Sequence, residues 1–120
     1  MAEQSLDQLR AAHAWAVVGK SQKNQDFKNL ATSAPALIMG NGLMQTLAFY
    51  QEKGGRHHQD LVHGLLEWLA KNGQPLAGKS RFDTAMTALQ NADTDTYMRA
   101  TEEALEVLKW IRQFAKATIK

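Results

Sequence analysis

Apolar residues recur every three or four positions along nearly the whole 120-residue chain, which is the spacing of one face of an α-helix. No segment shows sustained two-residue alternation or a dense run of Val and Ile, so strands are difficult to place. The pattern predicts an all-α fold. We expect a single compact bundle of about six helices, forming one domain over residues 1–120.

The first two helices are predicted from their start and stop residues. Helix one runs from Ser5, a good N-cap, to Val18, and Gly19 is its stop. Its apolar face is predicted to contain Leu6, Leu9, His13, Ala16 and Val17. Helix two covers residues 26–33, and Pro35 then opens a short apolar turn, ALIM, that ends at Gly40.

The other helices carry clearer apolar stripes. Asn41 is predicted to cap helix three, which has Leu43, Leu47 and Tyr50 on one face and ends at Gly54-Gly55. Helix four covers residues 57–71, with Leu61, Leu65, Trp68 and Leu69 on one side. Helix five spans residues 81–91, and the DTDT cluster caps a long sixth helix that nearly reaches the C-terminus.

The composition, 44% hydrophobic and 22% charged, is that of an ordinary globular protein, and a net charge of +2 is too small to identify a partner. The absence of cysteine excludes disulfides, thiolate catalysis and Cys-based zinc sites. Glu3 and Asp7 lie where a secretory signal would be basic, and the apolar stretch AAHAWAVV is too short to span a bilayer. We therefore expect a cytoplasmic protein with no membrane contact.

Residues 73–80, GQPLAGKS, match the phosphate-binding loop pattern G-x-x-x-x-G-K-[ST] of NTPases. Such a loop follows a buried strand, whereas the preceding LVHGLLEWLAKN is an amphipathic helix, and no apolar run ending in Asp is present to hold magnesium. We interpret Gly73 as a left-handed helix stop, and Ser80 with Asp83 as a capping box that opens helix five. That helix start, with Lys79 and Arg81 beside it, remains an acceptable contact for one phosphate.

We predict no catalytic residue, no metal site and no cofactor. In RHHQDLVH only Asp60 and His63 are spaced as two ligands on one helical face, so the segment is interpreted as a solvated helix start. His13 is interpreted as a packed histidine, because no serine nucleophile with an acidic partner is recognisable near it.

Two groups of cations are candidates for contact with a phosphate backbone. Lys109, Arg112, Lys116 and Lys120 align as one row on the last helix, and Lys20, Lys23 and Lys28 surround the first loop. The alternative for the row is a solvated face that complements the helix C-terminus. Arg10 lies beside the apolar face of helix one, where it must pair with an acid, extend to solvent or meet a phosphate; pairing is the default.

The last helix is also more apolar than one core contact requires. Tyr97, Thr101, Ala104, Leu108, Ile111 and Ala115 form one stripe, and Val107, Trp110 and Phe114 extend it sideways. Trp110 and Phe114 are therefore candidates for a protein interface.

Three stretches, LDQLRAAHA, PALIMGNGLMQTLAFYQEK and YMRATEEALEVLKWIRQFAKA, together span most of the chain. They resemble the small subunit of the type III-B CRISPR effector complex, the Cmr module. The landmarks of the resemblance are Pro35, Asn41, Gly42, Leu43, Trp110, Phe114 and Ala115, with Trp68-Leu69 between them. Two departures are Ala34, where a leucine is expected, and the GKS of residues 78–80.

The resemblance implies a helical bundle with no known catalytic activity, copies of which stack along the ribonucleoprotein and help line the RNA path. Its partners are then the other Cmr-module subunits, copies of itself and the guide/target RNA duplex, with no small-molecule substrate. The candidate RNA-binding residues are Arg10, Lys20, Lys23, Lys28, Lys109, Arg112 and Lys116. The alternatives are a generic helical scaffold that binds only protein through Trp110 and Phe114, and an NTPase.

Overall fold

Six helices account for most of residues 3–120, the part of the chain that the computed structural model describes. They are α1 (Leu6–Lys20), α2 (Gln25–Asn41), α3 (Leu43–Lys53), α4 (Arg56–Leu69), α5 (Phe82–Asn91) and α6 (Thr94–Thr118). These residues contain no strand, so the predicted all-α fold is confirmed. The extents of 43 × 40 × 22 Å describe a flat bundle about two helix diameters thick.

The 25-residue helix α6 is the centre of the bundle and packs against α1, α2 and α4. Its buried face alternates small and large side chains: Ala100, Ala104, Val107, Leu108, Ile111 and Ala115. The alanines allow neighbouring helices to approach closely, while the larger residues fill the space between them. The predicted cap is confirmed, since the Asp93 carboxylate accepts a hydrogen bond from the Thr96 amide over 2.8 Å.

A three-helix contact holds α1 in place. The Glu103 carboxylate of α6 accepts hydrogen bonds from Arg10 Nε at 2.7 Å and Arg10 Nη2 at 2.9 Å. The indole Nε1 of Trp68, on α4, donates to the same carboxylate over 2.9 Å. The Arg10 and Glu103 side chains are each only 15% exposed, so this contact is well shielded from water.

Helix α1 also approaches α4 closely. A Cβ atom at Gly64 would lie 2.7 Å from a methyl carbon of Val17, so only glycine fits there without displacing α1. The neighbouring His13 is packed, as predicted: its Nε2–H donates to the Gly64 carbonyl oxygen over 2.8 Å, and its ring lies 5.4 Å from that of Trp68. Burial lowers the pKa of His13, which favours the neutral ring.

The predicted face of helix one was wrong at Leu6, Leu9 and Ala16, and the helix ends two residues later than predicted. The N-cap Ser5 is confirmed with a complete capping box, but the buried residues are Ala14, Val17 and Val18, whereas Leu6 and Leu9 remain 46% and 42% exposed. The long-range pairing of Arg10 turns α1 so that this residue, and not the leucines, faces α6. The helix continues through Gly19 and ends before Gln22 and Lys23, which have positive φ angles of 55° and 58°.

Helix two is one continuous element, so the predicted break at Pro35 was wrong. Phe27, Ala31, Ala34 and Ile38 are buried at helical spacing on both sides of Pro35. A proline inside a helix removes one backbone hydrogen bond and costs about 3 kcal/mol. We infer that burial of Ile38, on the core face of the helix after Pro35, offsets this loss.

The predicted cap of helix three was also wrong. Asn41 is the last residue of α2, and Gly42, with φ of +89°, makes the junction to α3. The Met44 amide donates over 3.1 Å to the hydroxyl oxygen of Tyr97, so α6 satisfies a donor at the start of α3. The buried stripe of Leu43, Leu47 and Tyr50 is confirmed.

We expect Glu103→Gln to lower the free energy of unfolding by about 2–3 kcal/mol, because it removes the carboxylate that accepts two hydrogen bonds from the shielded Arg10 guanidinium and leaves only the longer 3.5 Å contact with Asp7. Glu102→Gln, at the exposed neighbouring position, is the matched control and should change the free energy by less than about 0.5 kcal/mol. Urea denaturation at neutral pH measures both. Equal effects of the two substitutions would contradict the importance of the three-helix contact.

The same contact predicts a pH dependence. Hydrogen bonds from Arg10 lower the pKa of Glu103 below its ordinary value of 4.5, with burial opposing and Trp68 assisting. Because the folded pKa lies below the unfolded one, this stabilisation is present above pH 4.5 and is lost as the pH falls through the folded pKa. The stability difference between the wild type and Glu103→Gln should therefore shrink from about pH 5 to pH 3. A difference that stays constant over this range would contradict it.

Candidate RNA and subunit interface

Helices α1 and α6 lie side by side with their C-terminal ends at the same end of the molecule. Arg10 reaches Glu103, Trp15 contacts Phe114 farther along α6, and the last turn of α1 shares a pocket with Thr118. Helix α2 begins at this end too, because Lys28 Nζ donates over 3.1 Å to the Ile119 carbonyl oxygen.

Five lysines lie at this end of the bundle, and we call them the terminal basic surface: Lys20, Lys23, Lys28, Lys116 and Lys120. All except Lys28 are exposed. Within residues 3–120 none of the five forms an ion pair with a carboxylate side chain. The segments that carry these lysines, residues 20–28 and 116–120, contain one acidic side chain, that of Asp26. Lys116 and Lys120 of the predicted row thus lie at the same end of the fold as the three lysines around the first loop, and their like charges add to a positive potential.

Three other predicted cations are placed differently. Arg10 pairs with an acidic residue, as the default interpretation predicted. The partner is Glu103, which balances the charge of Arg10 within the chain. Lys109, about 10 Å before Lys116 along α6, pairs with Glu106 over 3.3 Å. Arg112 is half-buried, and its Nε has no hydrogen-bond partner within residues 3–120. The free positive charge is therefore concentrated toward the end of α6.

The aromatic strip of α6 is covered in part by α1. Trp110 Nε1 donates to an Asp7 carboxylate oxygen over 3.0 Å, and the Trp110 and Phe114 ring centroids are 5.6 Å apart. Phe114 also contacts Trp15 edge to face at 5.1 Å. Trp15 remains 57% exposed. The sequence-based prediction did not name Trp15 as a candidate site residue. The signal available for it was its position in the chain next to Ala14, which is buried.

An apolar groove on the other side of α1 was missed as well. Its volume is about 420 Å³, and its walls include Leu6, Leu9, Ala16 and Trp68. The sequence analysis assigned Leu6 and Leu9 to the core, so neither was considered as a surface residue. Exposed leucines beside a groove are typical of a contact with another protein.

The GQPLAGKS stretch is a loop whose amides are already engaged. The amides of Gln74, Leu76, Ala77, Gly78 and Lys79 donate to carbonyl oxygens of residues 69–76. A phosphate-binding loop needs such amides free, so this stretch does not have that structure. Gly73 is left-handed, with φ of +83°, but it lies in the turn that follows the Ala70 C-cap of α4.

The predicted Ser80–Asp83 capping box was wrong. The N-cap of α5 is Arg81, and no side chain caps this helix. Asp83 instead accepts from the Arg81 guanidinium over 2.9 Å and from the Thr84 amide over 2.8 Å. A carboxylate therefore lies where a phosphate would bind, which removes the support for an anion contact at this helix start.

The histidine-rich segment is held by local contacts. The rings of His57 and His58 stack at 4.2 Å, and Asp60 pairs with Arg56 over 3.8 Å. Within residues 3–120 no group of three or more His, Asp or Glu side chains is placed to hold a metal ion. None of the helices in the same residues combines the length and apolar character needed to cross a membrane.

Comparison with known proteins establishes the family. A model of CRISPR-associated proteins, Cas_Cmr5, matches residues 6–118. The chain belongs to the Cas_Cmr5 family. The CRISPR system Cmr subunit Cmr5 of Thermus thermophilus is 26% identical over 119 residues, which cover 99% of this chain and 92% of that protein. A crystal structure of a Cmr5 family protein from Thermus thermophilus superposes with a TM-score of 0.81 at 26% identity, covering 98% of this chain and 100% of the other.

Family membership confirms the resemblance to the small subunit of the type III-B Cmr module. A Cas_Cmr5 protein is a subunit of the Cmr complex, and its partners include the other Cmr subunits.

We expect Gly73→Ala to lower the free energy of unfolding by about 1 kcal/mol, because alanine is strained at a left-handed φ. Gly40→Ala is the matched control: Gly40 is helical, and an added Cβ meets nothing within 4 Å. That substitution should stabilise the protein by about 0.5 kcal/mol.

Melting curves with and without magnesium-ATP test the NTPase hypothesis. A rise in Tm on adding ATP, abolished by Lys79→Ala, would restore that hypothesis.

Proposed function

We propose that this chain is a non-catalytic subunit of the Cmr ribonucleoprotein that helps assemble the complex and lines the path of the guide/target RNA duplex. The terminal basic surface is the observation that carries the proposal. Lys20, Lys23 and Lys116 are exposed and come from α1, the α1–α2 turn and α6. A folded cluster of free ammonium groups suits a phosphate backbone, which supplies most of the affinity in nucleic-acid binding.

Three of the displaced pKa values have structural causes. Arg10 hydrogen bonds lower the pKa of Glu103, burial lowers that of His13, and the Thr96 amide lowers that of the N-cap Asp93. The hydrogen bonds of Glu103 and Asp93 join helices or cap a helix, so these two shifts are accounted for by the fold.

Contacts with protein partners use other surfaces. The groove beside Leu6 and Leu9 offers apolar area to another Cmr subunit or to a second copy of this chain. Copies joined in this way would extend the terminal basic surface along the RNA. We place this assembly in the cytoplasm.

We expect Lys20→Glu combined with Lys116→Glu to weaken binding of target RNA to the assembled Cmr complex about tenfold or more near 0.1 M salt. The slope of log Kd against log salt should fall by about two, one for each lost phosphate contact. Titration of labelled target RNA at four salt concentrations measures both quantities.

The matched control is Lys53→Glu with Lys79→Glu, which makes the same change of net charge at exposed positions outside both the terminal basic surface and the groove beside Leu9. It should leave the affinity and the salt slope near the wild-type values. If both double variants behave like the wild type, the protein-only scaffold is the better explanation, since apolar contacts depend little on salt.

A further inference from the structure

Trp15 is a large aromatic residue at the surface. The residue is 57% exposed, and its ring packs edge to face with that of Phe114, with the ring centroids 5.1 Å apart. Phe114 lies 5.6 Å from Trp110, whose indole donates to Asp7 over 3.0 Å. This series of contacts orients Trp15 without burying it, as required of an aromatic ring that accepts a stacking partner.

The ring borders an open pocket of about 460 Å³. The pocket is lined by Trp15, Val18, Gly19, Gln22, Lys23 and Thr118. Gly19 is inside α1, where a glycine is unfavourable, yet an added Cβ would meet nothing within 4 Å. The missing side chain widens the pocket beside the Trp15 ring.

A strained turn forms part of the pocket wall. Gln22 and Lys23 are consecutive left-handed residues with φ of 55° and 58°. Left-handed backbone costs about 1 kcal/mol or more for a residue with a Cβ, and glycine would avoid the cost. Both side chains line the pocket, which gives a reason to retain an amide and an ammonium group there.

The charge of the pocket indicates the kind of ligand that fits it. Lys23 lines it, and its lining includes no carboxylate within residues 3–120. A nucleotide combines an aromatic base with a phosphate, so it matches a ring with an ammonium group beside it. We propose that this pocket binds one unpaired nucleotide of RNA, with the base stacked on Trp15 and the phosphate on Lys23.

The proposal rests on the proposed function and specifies the part of the RNA that is bound, an unpaired nucleotide. In a duplex both faces of a base are covered by its neighbours, so the nucleotide bound here lies at an end, in a bulge or in a single-stranded stretch. Gln22 and Thr118 supply polar groups for the edges of the base. The stacking contact is independent of sequence, because every base has a π-face.

Trp15→Leu and Trp15→Phe test the stacking with the full chain. The probes are a 12-nucleotide uridine RNA and an abasic oligomer of the same length, titrated at low salt. Leucine should weaken binding of the uridine RNA about tenfold, while phenylalanine should keep most of the affinity. Neither substitution should change binding of the abasic oligomer. Stacking should also quench tryptophan fluorescence in the wild type and not in Trp15→Leu.

Gly19→Gln is a second test that fills the pocket and keeps Trp15. It should lower affinity for the uridine RNA about tenfold and leave the abasic oligomer unaffected. Gly40→Gln, another helical glycine with open space around it, is the control and should change neither.

Each outcome decides a different point. If the wild type prefers neither probe, or Trp15→Leu binds both as the wild type does, the nucleotide pocket is wrong, while salt-dependent binding of both probes still supports the basic surface. If neither probe binds at low salt, the proposed RNA function fails as well. If Trp15→Leu prevents incorporation into the Cmr complex but leaves both affinities unchanged, Trp15 contacts a protein subunit instead.

Discussion

The arrangement of the bundle depends on one carboxylate. Glu103 of α6 accepts hydrogen bonds from Arg10 of α1 and Trp68 of α4, so a single group joins three helices. A shielded ion pair adds little net stability compared with apolar packing, but it strongly penalises arrangements that leave one charge alone. Arg10 therefore determines the rotation of α1: it faces α6, and Leu6 and Leu9 face outward. The exposed surfaces of α1 follow from this choice.

A second constraint acts where α1 crosses α4. Gly64 leaves no space for a side chain opposite Val17, and its carbonyl oxygen accepts the hydrogen bond from His13. The ion pair controls rotation, and this close crossing restricts sliding. With both in place, Trp15 meets Phe114 and the last turn of α1 reaches Thr118. The terminal basic surface is thus a consequence of contacts made farther along the same helix.

Local patterns predicted six helices and most of their ends, because apolar spacing and the Ser5 and Asp93 caps act within one turn. The errors share a cause. Pro35 lies within a helix that buries Ile38 beyond the proline, and the donor at the start of α3 is satisfied by Tyr97 from another helix. The sequence likewise indicated the cations of the candidate site. It did not show that Arg10 is paired 93 residues away, or that Lys28 reaches the end of α6.

Helix α1 separates the two kinds of contact proposed for this subunit. Leu9 and Trp15 are six residues apart, which places them about 120° apart around the helix, on either side of the face that meets the core. The apolar groove beside Leu9 is the surface proposed for the protein contact, and the pocket beside Trp15, which Lys23 lines, is the one proposed for RNA. Because the two surfaces share no lining residue, one can be occupied without covering the other. The two proposals together therefore predict a subunit that stays bound to its neighbours while RNA enters or leaves.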